Sequence, residues 1–265
     1  MIPPSLYAIL HSDPDHLHDA PVRWSRSPIA ALYKPSGTLV HNSAYAGPKE
    51  TTLLDHAQTQ CGQRLYPLHR IDRGTSGLVL AADTRDGISA WMDALHRPQT
   101  VREYLVVLRG KLEHMVKVER PIPSNDGTPL AAQTIFAPMR HSDHARLTLA
   151  RARILTGRTH QIRRHARSLH HPVLGDASWG DSKFNRSIRD AHGVDRLMLH
   201  AWRIQMTGPN GTEYDWVSIP DAGFQKHIAA LFDFDSWVTF AGMSTLSDDA
   251  PYRYRDKGGS FEAVG

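Results

Sequence analysis

Residues 68–82 read LHRIDRGTSGLVLAA: one carboxylate between two guanidinium groups, a Gly-Thr-Ser-Gly segment, then an apolar run. The apolar run follows turn residues, so Asp72 is expected on a loop at a sheet edge, where a rigid frame can present a functional side chain. A neighbouring guanidinium favours the ionised carboxylate and keeps it available at neutral pH as nucleophile, base or charge stabiliser. A serine there would need a separate base. A loop salt bridge is the plain structural alternative.

Outward from this stretch the chain alternates short extended segments with few helices. Residues 28–34 (PIAALYK) read as a strand ending in the turn Lys34-Pro35-Ser36-Gly37. Ile88, Trp91, Met92 and Leu95 recur at helical spacing, which predicts an amphipathic helix over 85–96 with these four in the core. Residues 104–108 and segments near 131–137, 145–155, 197–206 and 214–219 read as strands, and Phe224, Ile228, Leu231 and Phe232 as a closing helix. This predicts an α+β fold with a largely antiparallel central sheet flanked by helices and loops. Residues 1–27 are expected to be an N-terminal extension, 28–235 the main domain and 236–265 a C-terminal tail with little core material.

GRTHQIRRHARSLHHPVLGD, residues 157–176, is the second informative stretch. Thr159 is expected to cap a helix that Pro172 ends, with Ile162, Ala166 and Leu169 as its buried stripe. Arg163, at the margin of that stripe, is placed to reach inward; Arg164 and Arg167 are placed to reach solvent or phosphate.

The 265 residues carry a formal charge of +4, and six arginines and two histidines fall between Arg151 and Arg167 without an acid. Such a basic run suits a polyanionic partner or a solvated face. Cys61 is the only cysteine, which excludes an internal disulfide and a cysteine-based zinc site within one chain. The 17 histidines form no H-E-x-x-H pattern, so no metal is expected. No glycine-rich phosphate motif occurs either. Apolar runs are far shorter than the roughly 18 residues of a membrane span, and the N-terminus lacks a signal-peptide pattern. A cytoplasmic protein without membrane association is expected.

Taken together, the two stretches resemble the RluA-type RNA pseudouridine synthase family. HRIDRGTSGLVLAA is similar to its H-R-L-D-x-x-T-S-G motif, and GRTHQIRRHARSLHHPVLGDASWGD to its G-R-T-H-Q-I-R-x-H…H-P-I-x-G-D motif. YKPSG at 33–37, VREYLVVLRG at 101–110 and RLMLHA at 196–201 follow in the family's order, so the likeness covers about residues 28–220. The stretch from Gln161 to Ala201 resembles in particular the tRNA pseudouridine-65 synthase type, with a loop through Lys183, Asn185 and Arg186 retained.

The resemblance implies the pseudouridine synthase fold and uridine isomerisation in RNA, tRNA by subgroup likeness. The bond from C1′ to N1 breaks, the uracil rotates while held, and a bond forms through C5, with no cofactor and no obligate protein partner. It implies that Asp72 is the essential carboxylate, attacking the ribose or abstracting its 2′ proton; both routes stay open. Tyr104 matches the tyrosine that contacts the target uracil, and Arg163 the arginine that pairs with the catalytic carboxylate. Arg70 matches the residue that fills the gap left in the RNA stack. Leu199, with Leu197 as competitor, is the candidate apolar residue beside the reactive site. Arg158, Arg164, Arg167, Lys183 and Arg186 are candidate phosphate contacts. Arg102 stands where the family often has lysine, which keeps charge but changes hydrogen-bond geometry. The alternatives are a ribosomal-RNA enzyme and a noncatalytic RNA-binding or chaperone protein.

Overall fold

The computed structural model describes residues 29–42 and 50–233, together with the backbone of short strands at 6–10, 22–23, 252–255 and 261–264. Expectations for 1–27 and 236–265 fall, apart from those strands, outside the described residues. The chain divides into two units: residues 1–104 with 199–222, and residues 105–198 with 223–265. The first unit begins with β1 (Leu6–Leu10), β2 (Val22–Arg23), β3 (Ile29–Lys34), α1 (Leu53–Cys61), β4 (Tyr66–Pro67), β5 (Ser76–Ala82), α2 (Ile88–Leu95) and the start of β6 (Val101–Arg109). The second carries the rest of β6, then β7 (Val116–Val118), β8 (Ile122–Pro123), β9 (Pro129–Leu130), β10 (Thr134–Ser142), β11 (Leu147–Ile154), α3 (Gln161–Ser168) and α4 (Ser182–His192). The chain returns to the first unit with β12 (Leu199–Thr207) and β13 (Glu213–Ser218), and ends with α5 (Ala222–Phe232), β14 (Tyr252–Arg255) and β15 (Phe261–Val264).

In the first unit all seven residues of β5 are buried, as a continuous apolar run bounded by turn residues requires. β5 runs antiparallel to β3, from Ile29 opposite Ala82 to Lys34 opposite Gly77, and parallel to β12 at Ser76–His200 and Gly77–Ala201. It therefore has a strand on each side, and Asp72 leads into an interior strand rather than lying at a sheet edge. Ser76 and Gly77 already belong to that strand, so only Arg73 and Gly74 make the turn. Gly77 has φ +112°, and a Cβ there would lie 2.2 Å from the Ala201 carbonyl oxygen. No other residue permits this approach of β5 to β12.

Helix α2 buries Trp91, Ala94 and Leu95 and half-buries Ile88. Met92, expected in the core, is 38% exposed: it sits one step round from Trp91, beyond the narrow stripe of an eight-residue helix. Trp91 meets Tyr214 edge-on at 5.3 Å, and Tyr214 stacks on Trp216 at 5.0 Å. In the second unit β10 pairs antiparallel with β11 and β7, with a bulge between Pro138 and Arg140, where proline supplies no N–H to the ladder. The fold is α+β and mostly antiparallel, as expected.

Two helices depart from expectation. Thr159 does not cap α3; the cap position is His160, left-handed at φ 56° with no side-chain cap bond. The Gln161 carboxamide instead ties down the segment leading into the helix, its oxygen accepting from Arg158 N at 3.0 Å and Thr156 Oγ1 at 2.7 Å. Nor does Pro172 end the helix: it stops at Ser168, and His170 at φ 63° turns the chain away. Lys183, Asn185 and Arg186, expected on a loop, lie on α4 (Ser182–His192), with Asp181 accepting from Phe184 N at 2.9 Å and Gly193 left-handed at its end.

Candidate active site

The loop that carries Asp72 is fastened to the turn at 35–38. Lys34 is fully buried, and its Nζ donates to the carbonyls of Pro35 (2.8 Å), Thr38 (2.7 Å) and Arg73 (2.9 Å). Gly37 N donates to Arg73 O at 2.8 Å, and Ser36 Oγ to Gly74 O at 2.8 Å. Arg73 completes the brace, donating from Nε to Gly37 O at 2.9 Å and pairing with Glu50 at 3.0 Å. Of the two guanidinium groups that flank Asp72 in sequence, this one is thus committed to the scaffold. Thr75 N donates to Asp72 O at 3.0 Å and closes the turn. Arg70 is exposed on the same loop.

His69 explains how the chain leaves the sheet just before this loop. Leu68 N donates to Leu80 O at 2.8 Å, and Leu80 N donates to His69 Nε2 at 3.1 Å, so an imidazole replaces the next backbone acceptor of the ladder. Nε2 must be unprotonated to accept. Burial, then the charges of Arg102 and His96, pushes the His69 pKa from 6.5 down to about 3. A depressed histidine contributes stability that is complete above its unfolded value and is lost as pH falls from 6.5 towards 3. Because His69 retains some surface exposure, the expected loss by pH 5 is about 1–2 kcal/mol. Urea melts between pH 7 and 5 measure it, and a slope unchanged by His69→Gln would sink the assignment.

A second buried histidine fixes the other flank. His200 Nε2 donates to Ser218 O at 2.8 Å, so Nδ1 accepts from Ser76 Oγ at 2.9 Å, and one imidazole joins β5, β12 and β13. Tyr104, half-buried on β6, lies within electrostatic reach of Asp72. Burial raises its phenol, Arg102 pulls it back and the Asp72 carboxylate raises it further, to about 12. The phenol is therefore neutral at pH 7. Arg102 is buried, its pKa lowered by burial against the opposing effect of Tyr104, and its Nε has no hydrogen-bond partner. Leu199 and its competitor Leu197 are both buried, at 3% and 8% exposure.

Of the expected catalytic residues, the first unit holds Asp72 and Tyr104, and Arg163 belongs to the second. There Arg163 makes a bidentate pair with Asp176, Nε to Oδ2 at 2.6 Å and Nη2 to Oδ1 at 2.7 Å. Asp176 Oδ1 also accepts from Ser178 N at 2.9 Å and Trp179 N at 3.0 Å. Burial opposes the charge on Asp176, but the bonds from Arg163, Trp179 and Ser178 together hold its carboxyl below the usual range. The sequence reading passed over Asp176, although it ends the Val-Leu-Gly-Asp run. Gly175 before it has φ +76°, and a Cβ there would lie 1.8 Å from Arg196 O.

The candidate phosphate contacts all lie in this second unit. Arg158, Arg167, Lys183 and Arg186 are exposed, with Arg158 Nε donating to Ala131 O at 3.0 Å. Arg164 is half-buried, donating to Pro123 O at 3.3 Å with its guanidinium 5.0 Å from the Trp179 ring centre. Among the described residues, no group of three or more His, Cys, Asp or Glu side chains could hold a metal ion, and no helix is long and apolar enough to cross a membrane.

The sequence model of RNA pseudouridylate synthase matches residues 28–168. A tRNA pseudouridine synthase C of Pasteurella multocida is 32% identical over 201 residues, covering 68% of this chain and 83% of that protein. The like-named protein of Haemophilus influenzae is 29% identical over 230 residues, covering 79% and 95%. In fold, the chain is similar to human RNA pseudouridylate synthase domain containing 1, with a TM-score of 0.64 at 20% identity over 86% of this chain and 96% of the other.

Proposed function

The chain belongs to the RNA pseudouridylate synthase family, and from that premise we propose that it converts a uridine of tRNA to pseudouridine, with Asp72 as the essential carboxylate. The names of the bacterial relatives support tRNA as the substrate. One observation carries the site: Asp72 sits on a loop clamped through Lys34, Ser36 and Arg73, within electrostatic reach of a neutral phenol.

A uridine within structured RNA must leave its stack before its glycosidic bond is accessible, at a cost of a few kcal/mol that protein contacts offset. Arg70, exposed on the catalytic loop, is assigned to the vacated place in the stack. Asp72 acts on the ribose, at C1′ as nucleophile or at the 2′ position as base, and the C1′–N1 bond breaks. Tyr104, neutral and partly desolvated, packs against the freed uracil; once C1′–C5 has formed, C5 loses its proton and N1 gains one, and the phenol can relay that transfer by accepting one proton as it gives up its own. Arg163, held rigid by Asp176 in the second unit, is assigned a catalytic role, and Leu199 of the first unit is assigned to apolar packing beside the reacting group. Arg158, Arg164, Arg167, Lys183 and Arg186 supply phosphate contacts, which give affinity that falls with salt.

Mapping pseudouridine in total RNA incubated with and without the protein tests the proposal. The expected result is new pseudouridine at a defined tRNA position. A ribosomal-RNA position would overturn the substrate, and no new position at all would leave a protein that binds RNA without modifying it.

A further inference from the structure

Two clefts of the second unit share Arg167, His170 and Trp179, and the roles above give Trp179 no task. The first, about 540 Å³, is lined by Arg120, Arg164, Arg167, His170 and Trp179 among others, and no carboxylate lines it. The second, about 670 Å³, is lined by Arg109, Arg167, His170, His171, Trp179 and Asp181 among others. Its one carboxylate, Asp181, is engaged by the Arg109 guanidinium and Phe184 N. Arg120 and Arg167 are exposed.

Trp179 stands at both clefts and is held in place. Its backbone N donates to the buried Asp176 carboxylate at 3.0 Å, and its indole Nε1 donates to His160 Nδ1 at 3.2 Å. Trp91, Trp202 and Trp216 are buried in this chain, whereas Trp179 is half-buried. With its single donor engaged, the indole offers a ligand only its flat π surface. Arg164, over the ring, lines the first cleft but not the second.

We propose that Trp179 is a stacking platform for an unpaired RNA base, with the neighbouring phosphates bound by Arg120, Arg164 and Arg167. This rests on the reading of the chain as an enzyme that acts on RNA, and adds to it a named site for a nucleotide other than the one that reacts. A rigid aromatic face among cations is what single-stranded nucleic acid requires, because every base presents a π face and every nucleotide a negative charge. An acidic peptide would use the cations but has no need of the ring.

Equilibrium binding of labelled tRNA and of oligouridine, with turnover on the same tRNA, tests the proposal. Trp179→Ala is expected to weaken both RNAs about tenfold or more, within the range of one lost base–aromatic stack. Trp179→Phe recovers most of the affinity. The loss appears in KM, with kcat at saturating tRNA unchanged. Arg120→Gln and Arg167→Gln each reduce the slope of log affinity against log salt by about 0.7–0.9. The proposal is overturned if Trp179→Ala binds like wild type, if phenylalanine restores nothing, or if polyglutamate competes as well as oligouridine. Wild-type protein that converts uridine yet ignores Trp179→Ala removes this site alone. Wild-type protein whose RNA binding needs Trp179 but yields no pseudouridine removes the enzymatic reading and keeps the site, and wild-type protein that binds no RNA removes both.

Discussion

Asp72→Asn is expected to lower pseudouridine formation by about a thousandfold or more while tRNA binding stays within a few-fold of wild type. Asparagine keeps the shape of aspartate but is neutral, so it is neither a nucleophile towards C1′ nor a base towards the 2′ proton. The clamp on the loop is drawn from other groups: the Lys34 ammonium, the Ser36 hydroxyl, the Arg73 guanidinium and the backbone of residues 37, 73 and 74. The substitution leaves all of these in place, as it does the bond from Thr75 N to the backbone carbonyl of residue 72. Single-turnover conversion at saturating enzyme separates the chemistry from binding, and an equilibrium titration reads the affinity. Conversion at the wild-type rate would remove Asp72 from the mechanism, whichever route is followed.

The sequence disclosed most where one local pattern has one structural outcome. LVLAA bounded by turn residues is a buried strand, Lys34-Pro35-Ser36-Gly37 is a turn with Gly37 at φ +90°, and Phe224, Ile228, Leu231 and Phe232 are the buried face of α5. It disclosed less where partners come from distant segments. Nothing local marks Lys34 as buried, since its three acceptors are created by a turn and by a loop 39 residues away. The sheet-edge placement of Asp72 failed for the same reason: β12, which gives β5 its second neighbour, lies more than 100 residues downstream. Helix α1 went unread because only Leu53, Leu54 and Ala57 are buried on it, too few to set a period, although Thr52 and Asp55 form a capping box. Helix α4 was legible in principle, with Asp181 at one end and Gly193 at the other, but the family resemblance places Lys183, Asn185 and Arg186 on a loop. The inward reach of Arg163 was legible from helical spacing, whereas Asp176, 13 residues on and past the end of the helix, was not.

Asp176→Ala is expected to destabilise the protein by about 3–5 kcal/mol, because it removes the buried carboxylate that accepts two bonds from the Arg163 guanidinium. The Asp176 side chain is fully buried and that of Arg163 is 10% exposed, so water cannot readily replace the lost partner. The Ser178 and Trp179 amides lose an acceptor as well, which loosens the backbone that presents the Trp179 ring. Since the folded Asp176 is held below its ordinary 3.8, its contribution is complete above that value and disappears as pH falls further. Urea titration at pH 7 gives the magnitude, and a loss below about 1 kcal/mol would show that the pair does not hold this unit together. The double variant Arg163→Met/Asp176→Leu removes both charges and is expected to regain part of the stability, as apolar replacements of buried pairs do. Its activity should stay lost, because the catalytic role assigned to Arg163 needs the guanidinium itself. Recovery of activity along with stability would reduce Arg163 to the structural partner of Asp176 and confine the chemistry to Asp72 and Tyr104.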